Sequence, residues 1–333
     1  MAQRVFVTGG SGVIGTALVR ALVQRGDEVL ALARSDEAAR TLRELGAEPV
    51  GGDLLDEGAL AAGMRGCALA FHVAGVNVLC PTDRTALFAA NVDGARAAVR
   101  AAARAGVGRL VHTSSAATLG EAHGTVGRED SPHRGWYLSA YEQSKTEGER
   151  AALESARAEG VDLVCVNPSS VQGPGRTRGT GRILLALLDG RLKVFIDTRI
   201  SLVDIGDCVA GHLLAAERGV AGERYVLNGM TLSSREAFDL LERVGDLPAR
   251  PRIVPGAVAR VAGAAIEGAC RVAGRRPPLC REMVRTMLHG HAYDGSRAER
   301  ELGLRYTAPE ETLGATVEWA RQTGLLRRGG ALR

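Results

Sequence analysis

Tyr141-Glu-Gln-Ser-Lys145 sets a phenol and an amine four residues apart. On a helix such a pair shares one face, so both side chains reach the same small volume. A free tyrosine titrates near a pKa of about 10, too high for efficient proton transfer at neutral pH. A lysine cation alongside stabilises the phenolate and lowers that value. Arginine supplies nearly every other basic group in the chain, Lys193 being the only other lysine. A lysine at this spacing therefore points to proton chemistry at Tyr141. His112-Thr113-Ser114-Ser115 closes an apolar run 26 residues before Tyr141. A serine hydroxyl at that strand end can hydrogen-bond a substrate carbonyl oxygen and share a proton network with the phenol.

A second constellation binds rather than reacts. Val5 to Val7 reads as a buried strand, a glycine turn follows, and a helical pattern begins at Val13-Ile14. Gly10-Ser11-Gly12-Val13-Ile14-Gly15 fits G-x-G-x-x-G between a strand and a helix, the context that motif needs. Its glycines permit a tight turn and close backbone approach, so a dinucleotide pyrophosphate can sit on the free N–H groups at the helix start. The residue type after the second strand, roughly 20 positions beyond the glycines, separates NAD from NADP. An acidic residue there would bond the ribose 2′-OH, but this chain has Ala33-Arg34-Ser35. Arg34 can pair with a 2′-phosphate, which favours NADP over NAD. Asp53, after the third strand, is placed to meet the adenine ring, and aspartate at a strand end is also a common turn residue.

The elements that must carry these residues alternate through the first half. Strands are expected at 27–33, 48–51, 69–73, 109–113 and 162–166, with helices at 36–45 (Ser35 as N-cap), 83–105 and 140–159. Alternating βα units imply a parallel, doubly wound α/β sheet with ligands outside the carboxyl ends of its strands. Beyond residue 170 a Gly/Arg-rich loop runs to Arg182, 194–205 returns briefly to the sheet, and the chain after Ser233 is mostly helical. This divides the chain into a dinucleotide-binding domain, 1–170 with about 199–228, and a smaller, mainly helical substrate-binding lobe, 171–198 with 229–333.

Composition excludes other classes. The net charge of +4 is too slight to argue for nucleic acid, and the arginine excess looks like codon bias. Six scattered cysteines without ligand-like spacing favour reduced thiols in a cytoplasmic protein over a disulfide framework or a zinc site. The first strand is expected to start right after Met1, so no signal peptide is expected. The most apolar helix, 257–274, carries Arg260, Glu267 and Arg271, so no membrane partner is expected.

T-G-G-S-G-V-I-G, H-V-A-G, N-V-D-G, T-S-S-A-A-T and Y-E-Q-S-K together resemble the extended short-chain dehydrogenase/reductase family, the NAD-dependent epimerases and dehydratases, over nearly the whole chain. The segments 182–207, 223–229 and 293–303 look closest to its dihydroflavonol-reductase-like branch, which also contains hopanoid-associated sugar epimerases. The resemblance implies a Rossmann-type fold. It makes Tyr141 the general acid/base, Ser115 the carbonyl orienter, and Lys145 the residue that holds the nicotinamide ribose and tunes the tyrosine. It puts Gly9, Gly12, Val13, Ile14 and Gly15 at the pyrophosphate, Asp53 and Leu54 at adenine, Val73, Ala74 and Gly75 beside the ribose, and Pro168, Ser169 and Ser170 beside the nicotinamide amide. It gives His72 a structural role, and Asn91 reads either as a bridge to the sheet or as a satisfied structural asparagine. Members acting on nucleotide sugars tend to carry an asparagine where this chain has Ser170.

The expected activity is therefore an NADP-dependent reduction of a ketone or aldehyde, or oxidation of the alcohol. One alternative is a sugar epimerase working by transient oxidation. Another is a redox sensor that binds NADP without turnover, which intact Ser115, Tyr141 and Lys145 argue against. Ala116-Ala117-Thr118 offers no carboxylate for dehydratase chemistry. The arginines after Gly175 leave an anionic substrate open, and a homodimer through helices 83–105 and 140–159 is a family-level expectation.

Overall fold

Apolar runs with period-two alternation become the strands of a parallel sheet covered on both faces. The computed structural model describes residues 2–177, 179–245, 247–275 and 277–326. Arg178 of the arginine-rich loop and the end of the expected C-terminal lobe, from 327, lie outside the described residues. The strands in chain order are β1 (Arg4–Thr8), β2 (Glu28–Ala33), β3 (Glu48–Gly51), β4 (Leu69–His72), β5 (Arg109–Thr113), β6 (Leu163–Pro168), β7 (Ser170–Gln172), β8 (Val194–Ile196), β9 (Arg199–Asp204), β10 (Arg224–Leu227), β11 (Met230–Ser233) and β12 (Arg252–Val254). The α-helices are α1 (Val13–Gln24), α2 (Asp36–Glu44), α3 (Glu57–Met64), α4 (Arg84–Phe88), α5 (Gly94–Ala105), α6 (Ala140–Glu159), α7 (Thr180–Leu188), α8 (Ile205–Arg218), α9 (Ser234–Gly245), α10 (Gly256–Val272), α11 (Arg281–His289) and α12 (Pro309–Gln322).

Seven strands form the large sheet in the order β10-β6-β5-β4-β1-β2-β3, every pairing parallel. Val5 and Val7 point into one core with Leu18, Val19 and Leu22 of α1, while Phe6 between them enters the other with Leu60 and Met64 of α3. All eight of these side chains are fully buried. The chain runs outward from β1 through β2 to β3, then crosses back to place β4 on the other side of β1. That reversal opens a crevice at the carboxyl ends of β1 and β4, where doubly wound sheets bind ligands.

The expected parallel α/β architecture is present, with three differences. A helix not anticipated from the pattern, α3, fills the connection from β3 to β4. Its N-cap Asp56 accepts from the Ala59 N–H at 3.0 Å. Strands β8 and β9 do not rejoin the large sheet. β9 pairs with β7 and β11 in a three-stranded sheet, and β8 pairs with β12. The edge position beside β6 is taken instead by β10. Finally, Cys80 and Cys280 are joined in a disulfide across 200 residues, with Cα atoms 6.4 Å apart. This corrects the expectation of reduced thiols for that pair. The loop after β4 folds against the start of α11, a long-range contact that cysteine spacing cannot reveal, while Cys67, Cys165, Cys208 and Cys270 are free.

The expected helix over 83–105 exists as α4 and α5 joined through a single π-helical turn, Ala89–Asp93. Such widened turns are often found at functional sites, and this one presents Asn91. Among the described residues, no helix is long and apolar enough to cross a membrane.

Candidate active site

The phenol and amine of α6 face the carboxyl end of the sheet. Ser139 caps the helix by accepting from the Glu142 N–H at 3.1 Å, which fixes where its first turn begins. Tyr141 and Lys145 then fall one turn apart, on the side that also buries Ser144 and Gly148. Ser115 lies two residues beyond the end of β5 and heads a one-turn helix, Ala116–Leu119, where its hydroxyl accepts from the Ala117 N–H at 3.3 Å. The Ser115 hydroxyl is near enough to the Tyr141 phenol to pull its pKa down. The structure thus brings together the three residues singled out for proton transfer.

The electrostatics differ from the expected picture at one point. Burial pushes the Tyr141 phenol up, and the groups that pull it down are the Ser115 hydroxyl and the Arg176 charge. Lys145 was expected to do that work. Its Nζ instead donates to the Thr113 carbonyl at 2.9 Å, at the end of β5. Lys145 is itself buried, and burial lowers its pKa to about 8 against the opposing pull of Glu149.

The glycine turn is built to admit a ligand at close range. A Cβ on Gly15 would lie 2.0 Å from the Gly9 carbonyl oxygen, and one on Gly9 would lie 2.5 Å from the Ala74 nitrogen. Helix α1 starts at Gly12 with no side-chain cap and no acidic residue in its first turn. The N–H groups of Val13, Ile14 and Gly15 therefore have no intrahelical acceptor. A phosphate fits that cradle in charge and size. Val73, Ala74 and Gly75 continue from β4 beside it, and Gly75 lies against Asn91 and Lys145.

The remaining binding candidates are more dispersed. Arg34 is exposed just beyond β2, and its side chain has no hydrogen bond or ion pair among the described residues. Ser35 behind it caps α2 as expected, accepting from the Ala38 N–H at 3.2 Å. Asp53 is exposed beyond β3 but also makes a local turn, its Oδ1 accepting from the Leu55 N–H at 2.9 Å. Leu54 packs against Gly94 of α5. Pro168 ends β6, buried, and the Ser170 hydroxyl bonds Thr180 at the start of α7 at 2.5 Å.

Several residues around the site were missed or left open by sequence reasoning. Asn91 Oδ1 accepts from the Val76 N–H at 2.7 Å, and its Nδ2 donates to the Val76 carbonyl and to Ser144 Oγ. It is a clamp between the loop after β4 and α6, and its hydrogen bonds go to these two elements rather than to a strand of the sheet. Buried Glu149 lies one turn beyond Lys145, where Thr118, Asn167 and Arg224 hydrogen-bond its carboxylate. That i, i+4 spacing was the available signal. His72 has the structural role expected: its Nδ1 bonds Thr8 Oγ1 at 2.9 Å, and burial with the Lys145 charge takes its pKa down to about 3. Glu121, His291 and Tyr293 form a chain with contacts of 2.6 and 3.0 Å, and His289 joins it. No sequence spacing could have joined Glu121 to residues 170 positions away.

Comparison with known proteins gives this geometry a context. The profile of the NAD dependent epimerase/dehydratase family matches residues 5–227. A Synechocystis sp. protein with the provisional name dihydroflavonol 4-reductase is 35% identical over 98% of this chain and 97% of its own. A 4-hydroxy-2-methyl-3-oxo-4-farnesyl-3,4-dihydroquinoline-1-oxide ketoreductase from Stigmatella aurantiaca is 33% identical, covering 90% of this chain and 91% of its own. Among solved structures, gox2253 superposes with a TM-score of 0.84 at 28% identity, over 98% of this chain and all of its own. DesIV, a dTDP-glucose 4,6-dehydratase from Streptomyces venezuelae solved with NAD and TYD, gives 0.76 at 26% identity, covering 97% of this chain and 98% of its own.

Proposed function

The chain belongs to the NAD dependent epimerase/dehydratase family and is an NAD(P)-dependent enzyme; we propose that it reduces the ketone or aldehyde of a small organic molecule with NADPH. The observation that carries this reading is the placing of Ser115 beside Tyr141 at the crevice, with Lys145 one turn away on α6. When bound, the nicotinamide supplies hydride to the carbonyl carbon. Ser115 donates to the carbonyl oxygen and polarises it. Tyr141, kept protonated by burial, gives its proton to the same oxygen as negative charge develops there. Lys145, buried and with its Nζ donating to the Thr113 carbonyl, holds the nicotinamide ribose. Gly9, Gly12, Val13, Ile14 and Gly15 hold the pyrophosphate. Asp53 and Leu54 flank the adenine, Val73, Ala74 and Gly75 the ribose, and Pro168 and Ser170 the nicotinamide amide.

NADP rather than NAD is favoured by Arg34, an exposed guanidinium beyond β2 with no partner among the described residues. Residues 171–198 and 229–333 form the substrate lobe in this reading, with 1–170 and about 199–228 binding the dinucleotide. The name of the Stigmatella relative, a ketoreductase, supports reduction over sugar epimerisation. The test is NADPH consumption over a panel of ketones and aldehydes, repeated with Tyr141→Phe. The variant should lose roughly 10²–10⁴-fold in kcat and bind NADPH almost as tightly as the native enzyme. Full activity in the variant would overturn the proton-transfer assignment. Tightly held dinucleotide with sugar-nucleotide interconversion and no net cofactor consumption would establish the epimerase instead.

A further inference from the structure

Arg176 stands apart from the other half-buried arginines. Among the described residues each of the others faces a carboxylate, as Arg134 faces Glu142 and Arg224 faces Glu149. The Arg176 guanidinium has no carboxylate and no hydrogen-bond acceptor among the described residues, and its Nε is fully buried. A guanidinium withdrawn from water and left unpaired is costly, so an acceptor must complete it in the working enzyme.

The side chain is held rather than loose. Arg176 follows the turn Gly173-Pro174-Gly175, its N–H donating to the Gly173 carbonyl at 3.3 Å. Its stem lies along the first turn of α7, where a Cβ on Gly181 would come within 2.6 Å of Arg176 Cγ. A Cβ on Gly179 would lie 3.1 Å from Nη2. Helix α7 begins there with no side-chain cap and no acidic residue in its first turn, so its positive end adds to the guanidinium charge. The segment sits at the same carboxyl end of the sheet as Ser115 and Tyr141, and the Arg176 charge is felt at the Tyr141 hydroxyl.

We infer that Arg176 receives a carboxylate of the substrate, so that the compound reduced is an oxo acid whose carboxylate lies within a few bonds of the reacting carbonyl. This rests on the reductase reading and names its substrate class. A guanidinium suits a carboxylate because two of its N–H groups can donate in parallel. The carboxylate takes no part in bond changes. The carbonyl carbon gains hydride from the reduced nicotinamide, its oxygen gains the Tyr141 proton, and the product is the hydroxy acid.

The experiment uses enzyme saturated with NADP⁺, titrated with 2-hydroxy and 3-hydroxy alkanoates and with their methyl esters. NADPH-dependent reduction of the matching oxo acids and esters is measured in parallel. One acid should bind roughly 10- to 100-fold more tightly than its ester, the range expected for hydrogen bonds to a charged group. Whether the 2- or the 3-hydroxy acid shows the larger ratio fixes the distance from carboxylate to carbonyl. Arg176→Gln should bring the acid down to the ester, leaving the ester within about threefold of its native affinity, and Arg176→Lys should restore part of the gap. Equal binding of acid and ester, no binding of either acid, or an equal loss of both in Arg176→Gln would each overturn the inference. If neutral ketones are still reduced in that case, the reductase reading stands without it. If neither charged nor neutral oxo compounds consume NADPH, the reductase reading falls as well.

Discussion

Replacing Ser115 by alanine separates two jobs done by one hydroxyl. In the folded chain Oγ accepts from the Ala117 N–H at 3.3 Å and so caps the short helix Ala116–Leu119. Losing a cap of this kind costs about 1 kcal/mol, which lowers the Tm of a chain this long by about 2 °C. The same hydroxyl lies beside Tyr141 and, in the proposed reaction, donates to the carbonyl oxygen as charge builds on it. Removing one such donor costs roughly 10²–10³ in kcat, or about 3–4 kcal/mol. The two effects differ enough in size to be measured apart. Steady-state NADPH oxidation gives kcat and KM, a thermal melt gives the cap, and fluorescence titration of NADPH checks that the cofactor still binds. Because the Ser115 hydroxyl lowers the Tyr141 pKa, its loss should also push the phenol further up. A kcat/KM loss below about fivefold, under ~1 kcal/mol, alongside the expected shift in Tm would show that Ser115 is a cap and nothing more.

Two further outcomes are expected. Arg34→Ala should weaken NADPH binding roughly 10- to 100-fold and leave NADH nearly unchanged, since only the former offers a 2′-phosphate to the lost guanidinium; equal losses for both dinucleotides would remove the basis for NADP preference. Glu121 carries the clearest pH signature, because hydrogen bonds from His289 and His291 outweigh its burial and hold its pKa at about 2 against an ordinary 4.5. A carboxyl depressed in this way stabilises the fold fully above its ordinary value, and that stability is lost as pH falls from 4.5 toward 2. Urea unfolding should show Glu121→Gln about 3 kcal/mol less stable than the native chain at neutral pH, with the gap closing in acid; a gap independent of pH would mean that packing, not charge, is what the substitution removes.

What could be read in advance follows the range over which the physics acts. Ser35, Tyr141 with Lys145, and the turn from Gly9 to Gly15 are local: a cap, an i, i+4 pair and a strand-to-helix junction each depend on neighbours a few residues away. All three stand in the structure where their spacing put them. Asn91 was ambiguous because its two partners, Val76 and Ser144, come from different connections, and only the packed sheet brings them together. The Cys80–Cys280 bond and the Glu121–His291 contact span 200 and 170 residues, distances over which periodicity carries no information. The tuning of Tyr141 was misjudged for a related reason. Helical spacing puts Lys145 on the same face, but the Thr113 carbonyl captures its ammonium group, while Arg176 arrives from a loop 35 residues further along.

That substitution of one cation for another bears on the direction of catalysis. A lysine in contact with the phenol would favour phenolate, the form needed to take a proton from an alcohol. In this chain burial prevails and the phenol is raised, so Tyr141 holds its proton at neutral pH and is ready to give it to a carbonyl oxygen. Alcohol oxidation must begin from the scarcer phenolate and should speed up with rising pH, while reduction draws on the dominant form. The charges around the crevice point the same way. Arg34 and Arg176 have no carboxylate opposite them among the described residues, and the start of α1 has no acidic cap. In the proposed reaction the negative charge they call for would come with the ligands: phosphates at the glycine turn and Arg34, and a carboxylate at Arg176. An anion on Arg176 would remove one of the two influences that lower the Tyr141 pKa. Binding of an oxo acid would therefore strengthen the hold of Tyr141 on its proton until the oxyanion forms, which couples recognition of the substrate's charge to the protonation state that reduction requires.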